Sequence, residues 1–284
     1  MITNKKRRIK TIVAIFFVVI FLFSLWQNNS IVVTKLQYSN KKIPKEFNQF
    51  KVVHISDLHN NKFGKNQEKL IKKLKETTPN IIVITGDLID RRKFNLDIAM
   101  QFIEQSVKIA PVYYVSGNHE AWSEKYKEIK ARLNTVGVHV LDDKEEKITK
   151  GNSHINVMGV KDPDFLTKDY LDGTNVSKIE EQLNKWQDTN EFKMLLSHRP
   201  ELLYMYKQYK MDLVFSGHAH GGQIRIPGIG GLVAPDQGFP PKYTSGIYEE
   251  DGTSMIVSRG LGNSVFPVRI FNRPEIIEVT MDSD

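Results

Sequence analysis

The chain has 284 residues, 40% hydrophobic and 26% charged, which is enough for one large or two modest folded domains and too apolar for disorder. It contains no cysteine, which excludes a disulfide framework, a sulfur-ligated metal site and a thiol nucleophile, so any metal must be held by His, Asp, Glu or Asn. The formal net charge of +7 does not imply a nucleic-acid groove: Lys5, Lys6, Arg7, Arg8 and Lys10 supply five of those charges, leaving +2 elsewhere, and no nucleic-acid partner is expected.

Those basic residues precede an apolar run, Ile12–Leu25 (IVAIFFVVIFLFSL), followed by Trp26 and QNNS. A basic flank before an apolar run is the layout of a signal sequence, and no small-x-small cleavage site follows Leu25. The run is therefore read as an uncleaved signal anchor. A buried helix of a soluble domain is the alternative, but Phe16, Phe17, Phe21 and Phe23 would leave it no polar face. The expected organisation is a cytoplasmic basic tail (1–10), a transmembrane anchor (11–26), a linker (27–49) and one domain (50–284). Retention of the positive charge in the cytoplasm places that domain on the extracytoplasmic side of the cell membrane.

Beyond the linker, short apolar runs alternate with helical patterns. Lys51–Ser56, Ile81–Thr85 and Val112–Ser116 read as buried strands. Between them, Gln67–Glu76 and Leu96–Ile109 carry apolar residues at helical spacing, with Leu70, Leu74, Phe102 and Ile103 facing inward. A helix over Ser123–Val136, strands at Val138–Leu141 and Ile155–Val160, and a helix at Ser177–Trp186 follow. Strands at Phe192–Leu196 and Leu213–Ser216 precede a Gly/Pro-rich stretch from Gly217 to Gly246, and strands return at Met255–Ser258 and Ile276–Thr280. Strand–helix–strand repetition indicates an α/β fold with a substantially parallel sheet, and the β-rich tail suggests a second sheet packed on the first.

Five of these strands end in metal-capable side chains: VVHISDLH in Asp57 and His59, IIVITGDLID in Asp87, VYYVSGNHE in Asn118 and His119, MLLSHRP in His198, and LVFSGHAH in His218 and His220. Strand carboxyl ends are where open α/β sheets build ligand sites. Ser56, Gly86, Gly117 and Gly217 suit tight turns before the polar groups. The two-step spacings Asp57-x-His59 and His218-x-His220 would put both side chains on one side of an extended backbone. Each block alone reads equally as a turn, a helix cap or a polar cluster; five in order, each after an apolar strand, point to a metal site. Nitrogen and oxygen ligands without sulfur suit Mn, Fe, Zn, Co or Ni, with Mn the first choice for assay.

Asp57-x-His59, Gly86-Asp87-(x)2-Asp90, Gly117-Asn118-His119-Glu120, His198 and Gly217-His218-x-His220 resemble the five signature blocks of calcineurin-like metallophosphoesterases. SGHAHGGQIRIP, SRGLGNS and NRPEI are further similar to a bacterial subfamily with an N-terminal membrane or export segment, related to UDP-2,3-diacylglucosamine pyrophosphatases. The resemblance implies a four-layer α/β/β/α sandwich of two mixed sheets flanked by helices, here preceded by one N-terminal transmembrane helix. It also implies two divalent metal ions per chain, one held by Asp57, His59, Asp87 and His220 and the other by Asp87, Asn118, His198 and His218. The expected activity is hydrolysis of phosphomonoesters or phosphodiesters by metal-activated water, on a phospholipid head group or another envelope-derived phosphate. His119, next to a ligand but not one itself, is the candidate general acid, with Glu120 either orienting it or pairing with a neighbouring element. Arg91 resembles the arginine that contacts phosphate in protein phosphatases. His54, His139 and His154 read as ordinary core or surface residues, with support of the ligands as the alternative for His54. A non-catalytic metal- or phosphate-binding membrane protein and a protein phosphatase are the alternatives. The intact ligand set and His119 weigh against the first, and the short chain after GHAH against the second.

Overall fold

The computed structural model describes residues 2–166, 175–263 and 268–284, with side chains from Arg8 onward. Ser264, which closes the SRGLGNS stretch, lies outside them. Helix α1 (Ile2–Asn29) extends the apolar run at both ends. Its segment Arg8–Asn29 contains an 18-residue window of mean hydropathy 2.5 with none of its residues buried, and the 22-residue segment is about 33 Å long at 1.5 Å per residue. Ile12, Phe16, Phe17 and Phe21 are exposed around it. A helix that is apolar on every side and covered on none belongs in a bilayer rather than in a soluble core.

The strands β1 (Val32–Ser39), β2 (Phe50–Ile55), β3 (Ile81–Thr85), β4 (Val112–Val115) and β5 (His139–Val140) come first in the chain. Helices α2 (Glu68–Thr77), α3 (Leu96–Ser106), α4 (Asn118–Trp122) and α5 (Tyr126–Thr135) lie between them. There follow β6 (Lys144–Lys150), β7 (Ser153–Gly159), α6 (Ser177–Trp186), β8 (Lys193–Leu196), α7 (Leu203–Gln208) and β9 (Leu213–Ser216). A small hairpin of β10 (Arg225–Ile226) and β11 (Gly230–Gly231) precedes β12 (Gly246–Glu250), β13 (Thr253–Val257) and β14 (Glu275–Asp282).

The larger strands form two six-stranded mixed sheets, in the orders β1-β14-β2-β3-β4-β5 and β12-β13-β9-β8-β7-β6. Central strands β3, β8 and β9 are buried along their whole length, which is why they read as near-continuous apolar runs rather than alternating ones. The sheets face one another across Val52, Val83, Tyr113 and Val115 on one side and Val157, Met194, Leu196 and Phe215 on the other. Outside the first sheet, Leu70 and Leu74 of α2, Phe102 and Ile103 of α3, and Ile129 and Leu133 of α5 cover Val53, Ile55, Ile82 and Ile84. Outside the second, Ile179 and Leu183 of α6 with Leu203 and Tyr206 of α7 cover Leu195, Val214 and Met255. This is the expected four-layer α/β/β/α arrangement.

Two local expectations are corrected, and one strand, β6, stands where the sequence announced none. Residues 27–49 are not simply a linker: β1 pairs in parallel with β14 along its full length, from Val32 opposite Glu275 to Ser39 opposite Asp282. That pairing joins the two ends of the domain, and no local pattern announces it. β6 escaped because KEEKITK is a mostly exposed, charged edge strand, the composition that blunts sheet edges. The helix expected over 123–136 is α5, which starts at Tyr126 rather than Ser123, and a separate short helix, α4, precedes it at Asn118–Trp122.

Strand direction fixes where the chemistry sits. β2, β3 and β4 run parallel, as do β8 and β9, so each sheet brings its carboxyl-terminal loops to one edge.

Candidate functional site

Those loops bring the eight strand-end residues singled out from the sequence into one cluster. Asp57, His59, Asp87, Asn118, His119, His198, His218 and His220 are all buried. Asp57, His59 and His220 form one group of donor atoms, and Asp87, His198 and His218 a second. Asp87 lies between them: its Oδ2 is 3.4 Å from His59 Nε2 and 3.4 Å from His198 Nε2. In the first group His59 Nε2 is 3.2 Å from His220 Nε2, and His220 Nε2 is 3.5 Å from Asp57 Oδ1. In the second, His198 Nε2 is 2.9 Å from Asn118 Oδ1 and 3.1 Å from His218 Nδ1.

The backbone that achieves this is not extended, contrary to the simple reading of the D-x-H and H-x-H spacings. Asp57, His59, Asp87, His218 and His220 all have left-handed φ, between +46° and +64°. Each strand stops first, and the ligand-type residues then occupy a conformation that costs non-glycine residues energy and recurs at functional sites. Crowding enforces the small residues beside them. A Cβ on Gly217 would sit 1.9 Å from Ser56 Oγ and 2.6 Å from Asp57 Oδ2, and one on Gly117 2.3 Å from Asp87 Oδ1.

The donor set fits divalent metal. Two buried carboxylates converge with imidazole nitrogens, and His59 Nδ1 and His220 Nδ1 are buried without a hydrogen-bond partner. His198 Nδ1 is 2.7 Å from the Thr85 carbonyl, which can only accept, so Nδ1 carries a proton and Nε2 faces the cluster, the arrangement second-shell carbonyls impose on ligating histidines. Burial alone would raise the Asp87 carboxyl, but His198, His119 and His59 outweigh it and hold it well below the ordinary carboxylate range. Burial would lower His198, yet Asp87 lifts it to about 10. The cluster therefore favours positive charge at its centre.

Glu120 neither orients His119 nor forms a salt bridge. Its buried carboxylate accepts from the backbone N–H groups of Asp87 (2.8 Å), Gly117 (2.8 Å) and Ile89 (3.3 Å), clamping the loops after β3 and β4 together. His119 donates its backbone N–H to Asp87 Oδ1 at 2.8 Å, and its Nδ1 accepts from the Arg91 N–H at 3.2 Å. The neutral imidazole therefore carries its proton on Nε2. Burial pushes His119 down to about 4, against the pull of Asp87.

A cavity of about 330 Å³ opens over the cluster, lined by His119, Arg91, Trp122 and Asp236 among others. The Arg91 guanidinium lies 4.2 Å from the centre of the Trp122 ring, whereas Arg92 is held by Asp90 through bonds of 3.1 and 2.8 Å. Arg91, the arginine singled out from the sequence, is thus the one of the adjacent pair that stacks on the cavity wall.

Three residues were not singled out from sequence. Trp122 forms a wall of the cavity. Arg199, read only as part of SHRP, is fully buried and bound to Asp162 (2.8 Å), Asp164 (2.7 Å) and Asp236 (2.6 Å). Asp236 Oδ2 also lies 3.0 Å from His218 Nε2. The same Nε2 is 3.1 Å from Arg199 Nη1, so Asp236 and Arg199 together fix the ring, whose Nδ1 is the atom turned to His198. Asp236→Asn is expected to raise the metal concentration for half-maximal activity by about 10- to 100-fold, with activity recovered at saturating metal. An unchanged metal titration would contradict that role.

His54 does not touch the cluster. Its Nε2 is 2.8 Å from Thr85 Oγ1, two atoms removed from the carbonyl that holds His198. His139 and His154 pair with Glu146 and Glu191 at 2.7 and 2.6 Å, away from the site. Burial depresses His54 from 6.5 to about 3, against the pull of Asp57. The unfolded chain thus gains a proton that the native state refuses between those values. The contribution is full above about pH 6.5 and lost as pH falls through the window. His54→Gln should show a shallower fall of the urea midpoint between pH 6 and 4 than wild type; equal slopes would contradict the assignment.

Comparison with known proteins agrees with this geometry. The family model described as calcineurin-like phosphoesterase matches residues 50–222. The chain is 28% identical to the uncharacterized metallophosphoesterase YkuE of Bacillus subtilis over 246 residues, covering 85% of this chain and 82% of that protein. It is 25% identical to the phosphodiesterase YaeI of Escherichia coli, covering 80% of each. It is also 25% identical to a transmembrane protein with metallophosphoesterase domain of Danio rerio, covering 85% of this chain and 55% of that one. The chain belongs to the calcineurin-like phosphoesterase family, as a membrane protein with a metal-dependent hydrolase domain.

Proposed function

We propose that the chain hydrolyses phosphomonoesters or phosphodiesters at a dinuclear metal centre. The observation that carries this reading is the position of Asp87, one carboxylate oxygen equidistant from the two donor groups. Asp57, His59, Asp87 and His220 would hold one ion, and Asp87, Asn118, His198 and His218 the other. The ions' part, when bound, is Lewis acidity, which makes water a competent nucleophile near neutral pH and offsets charge on the phosphoryl oxygens.

The remaining steps belong to the protein. His119 Nε2–H faces the cavity and donates to the leaving oxygen. Since burial holds the free imidazole at about 4, the negative charge of the bound ester must raise it before it can deliver a proton. Arg91, stacked on Trp122, offers a guanidinium to the non-reacting phosphoryl oxygens. Glu120 keeps the Asp87 and Asn118 loops in register.

The basic N-terminal flank supports an extracytoplasmic catalytic domain. A phospholipid head group or another envelope-derived phosphate is then the class of ester in reach. The test uses the full chain in detergent, metal-stripped and resupplied with Mn²⁺, on bis-p-nitrophenyl phosphate and p-nitrophenyl phosphate. Turnover restored by metal is expected, and the preferred ester separates diesterase from monoesterase. Stoichiometric metal binding without turnover on either, or on phospholipid, would favour a binding protein.

A further inference from the structure

Outside α1, eight described large apolar side chains are exposed, and five of them belong to neighbouring loops: Ile226, Ile229, Val233 and Phe239, with Phe271. Scattered exposed apolar residues need no explanation, but a cluster does. Ile229 at the tip of the β10–β11 hairpin is 75% exposed and Phe239 82%. From Gly221 to Pro241 the chain has only two charged residues, Arg225 and Asp236. Arg225 donates to the Gly221 carbonyl at 2.8 Å, and Asp236 is held by Arg199. Each charge thus has a partner within the protein, which lowers the cost of bringing the loop to an apolar phase.

The same loops adjoin the foot of the membrane helix. The Arg225 N–H donates to the Ile270 carbonyl at 3.0 Å, coupling the hairpin to the segment 270–273. In that segment Phe271 packs on Phe23 of α1, ring centres 5.6 Å apart, and the Asn272 N–H donates to Gln27 Oε1 at 3.2 Å. Asn272 Nδ2 in turn donates to the His220 carbonyl at 2.7 Å. Strand direction agrees. β14 is antiparallel to β2 and parallel to β1, so β1 and β14 begin where β2 ends. α1, three residues before β1, therefore joins the sandwich at the edge that carries the donor cluster.

We propose that Ile226, Ile229, Val233, Phe239 and Phe271 form a membrane-seating surface. They rest in the headgroup layer of the bilayer that α1 crosses and hold the mouth of the cavity against it. Pro235 and Asp236, on the same loop, line that cavity, so an ester presented at the lipid surface enters without crossing bulk water. Continuity with α1 selects the bilayer as occupant over a second copy of the chain, and apolar loops without free charge are what interfacial insertion requires.

The chain's lack of cysteine allows single-site labelling of the full-length protein. Ile229→Cys and Phe239→Cys would each carry an environment-sensitive fluorophore in phosphatidylglycerol/phosphatidylethanolamine vesicles with nitroxide lipid. Thr149→Cys is the reference, exposed on β6 at the end opposite the cluster. Quenching at 229 and 239 should exceed that at 149 by about threefold or more, with a blue-shifted emission. Quenching equal to the reference would overturn the proposal, as would a shift that depends on protein density in the vesicle, which marks contact between copies. The readout needs no turnover, so it stands or falls apart from the phosphoesterase reading.

Discussion

His119→Ala is expected to lower kcat for an alkyl phosphate ester by about 10²- to 10⁴-fold while leaving bound metal unchanged. The reasoning is geometric. His119 contributes its backbone N–H to Asp87 Oδ1, a bond that survives truncation of the side chain, so the cluster keeps its shape. What is lost is the Nε2 proton at the cavity. A p-nitrophenolate leaving group departs without help, so the same variant should lose far less, about tenfold or under, on a nitrophenyl ester. The difference between substrates is the diagnostic. Equal losses on good and poor leaving groups would remove His119 from proton transfer and leave it a structural or phosphate-contacting role.

Asp87→Ala is expected to abolish metal-restored turnover, by on the order of 10³-fold or more, and to take both donor groups with it. Its carboxylate reaches both groups: Oδ2 lies 3.4 Å from His59 Nε2 and from His198 Nε2 alike, and Oδ1 anchors the His119 backbone. Asp57→Ala offers the contrast, because the Asp57 carboxylate meets the side chains of His59 and His220 and reaches the second group only through the His218 backbone N–H, at 3.2 Å. It should weaken one ion and spare the other. If Asp87→Ala lost no more metal than Asp57→Ala, the shared carboxylate would not bridge.

Much of the architecture was legible because the central strands are so apolar. β3 and β9 fall at the positions their sequence patterns predict, and α6 at Ser177–Trp186 does too. The edges were not legible. β1 depends on β14, more than 240 residues away, and β6 and β12 are exposed strands whose polar residues resemble loop. At the site, the strand-end residues were visible as types and positions, since each follows an apolar run. Their conformation was not. The left-handed turns at Asp57 and His218 come from the packing of one loop against another, as the 1.9 Å approach that a Cβ on Gly217 would make to Ser56 Oγ illustrates. Glu120 looked like a partner for its neighbour because sequence adjacency suggests it; in the fold its carboxylate turns to backbone amides of another strand's loop. Asp236 lies in a Gly/Pro-rich stretch with no periodicity, and only its meeting with Arg199 and His218 gives it a role. In sequence Arg199 is only an arginine directly after a strand-end histidine; its burial, which demands a counter-charge, appears in the fold alone.

The most direct test of the dinuclear reading is electron paramagnetic resonance of the full-length protein during titration of the metal-stripped form with Mn²⁺. The assignment predicts two ions per chain whose spectrum at saturation is exchange-coupled through the shared Asp87 carboxylate, with coupling lost in Asp87→Ala. One ion per chain, or two ions with independent spectra in the wild type, would contradict it.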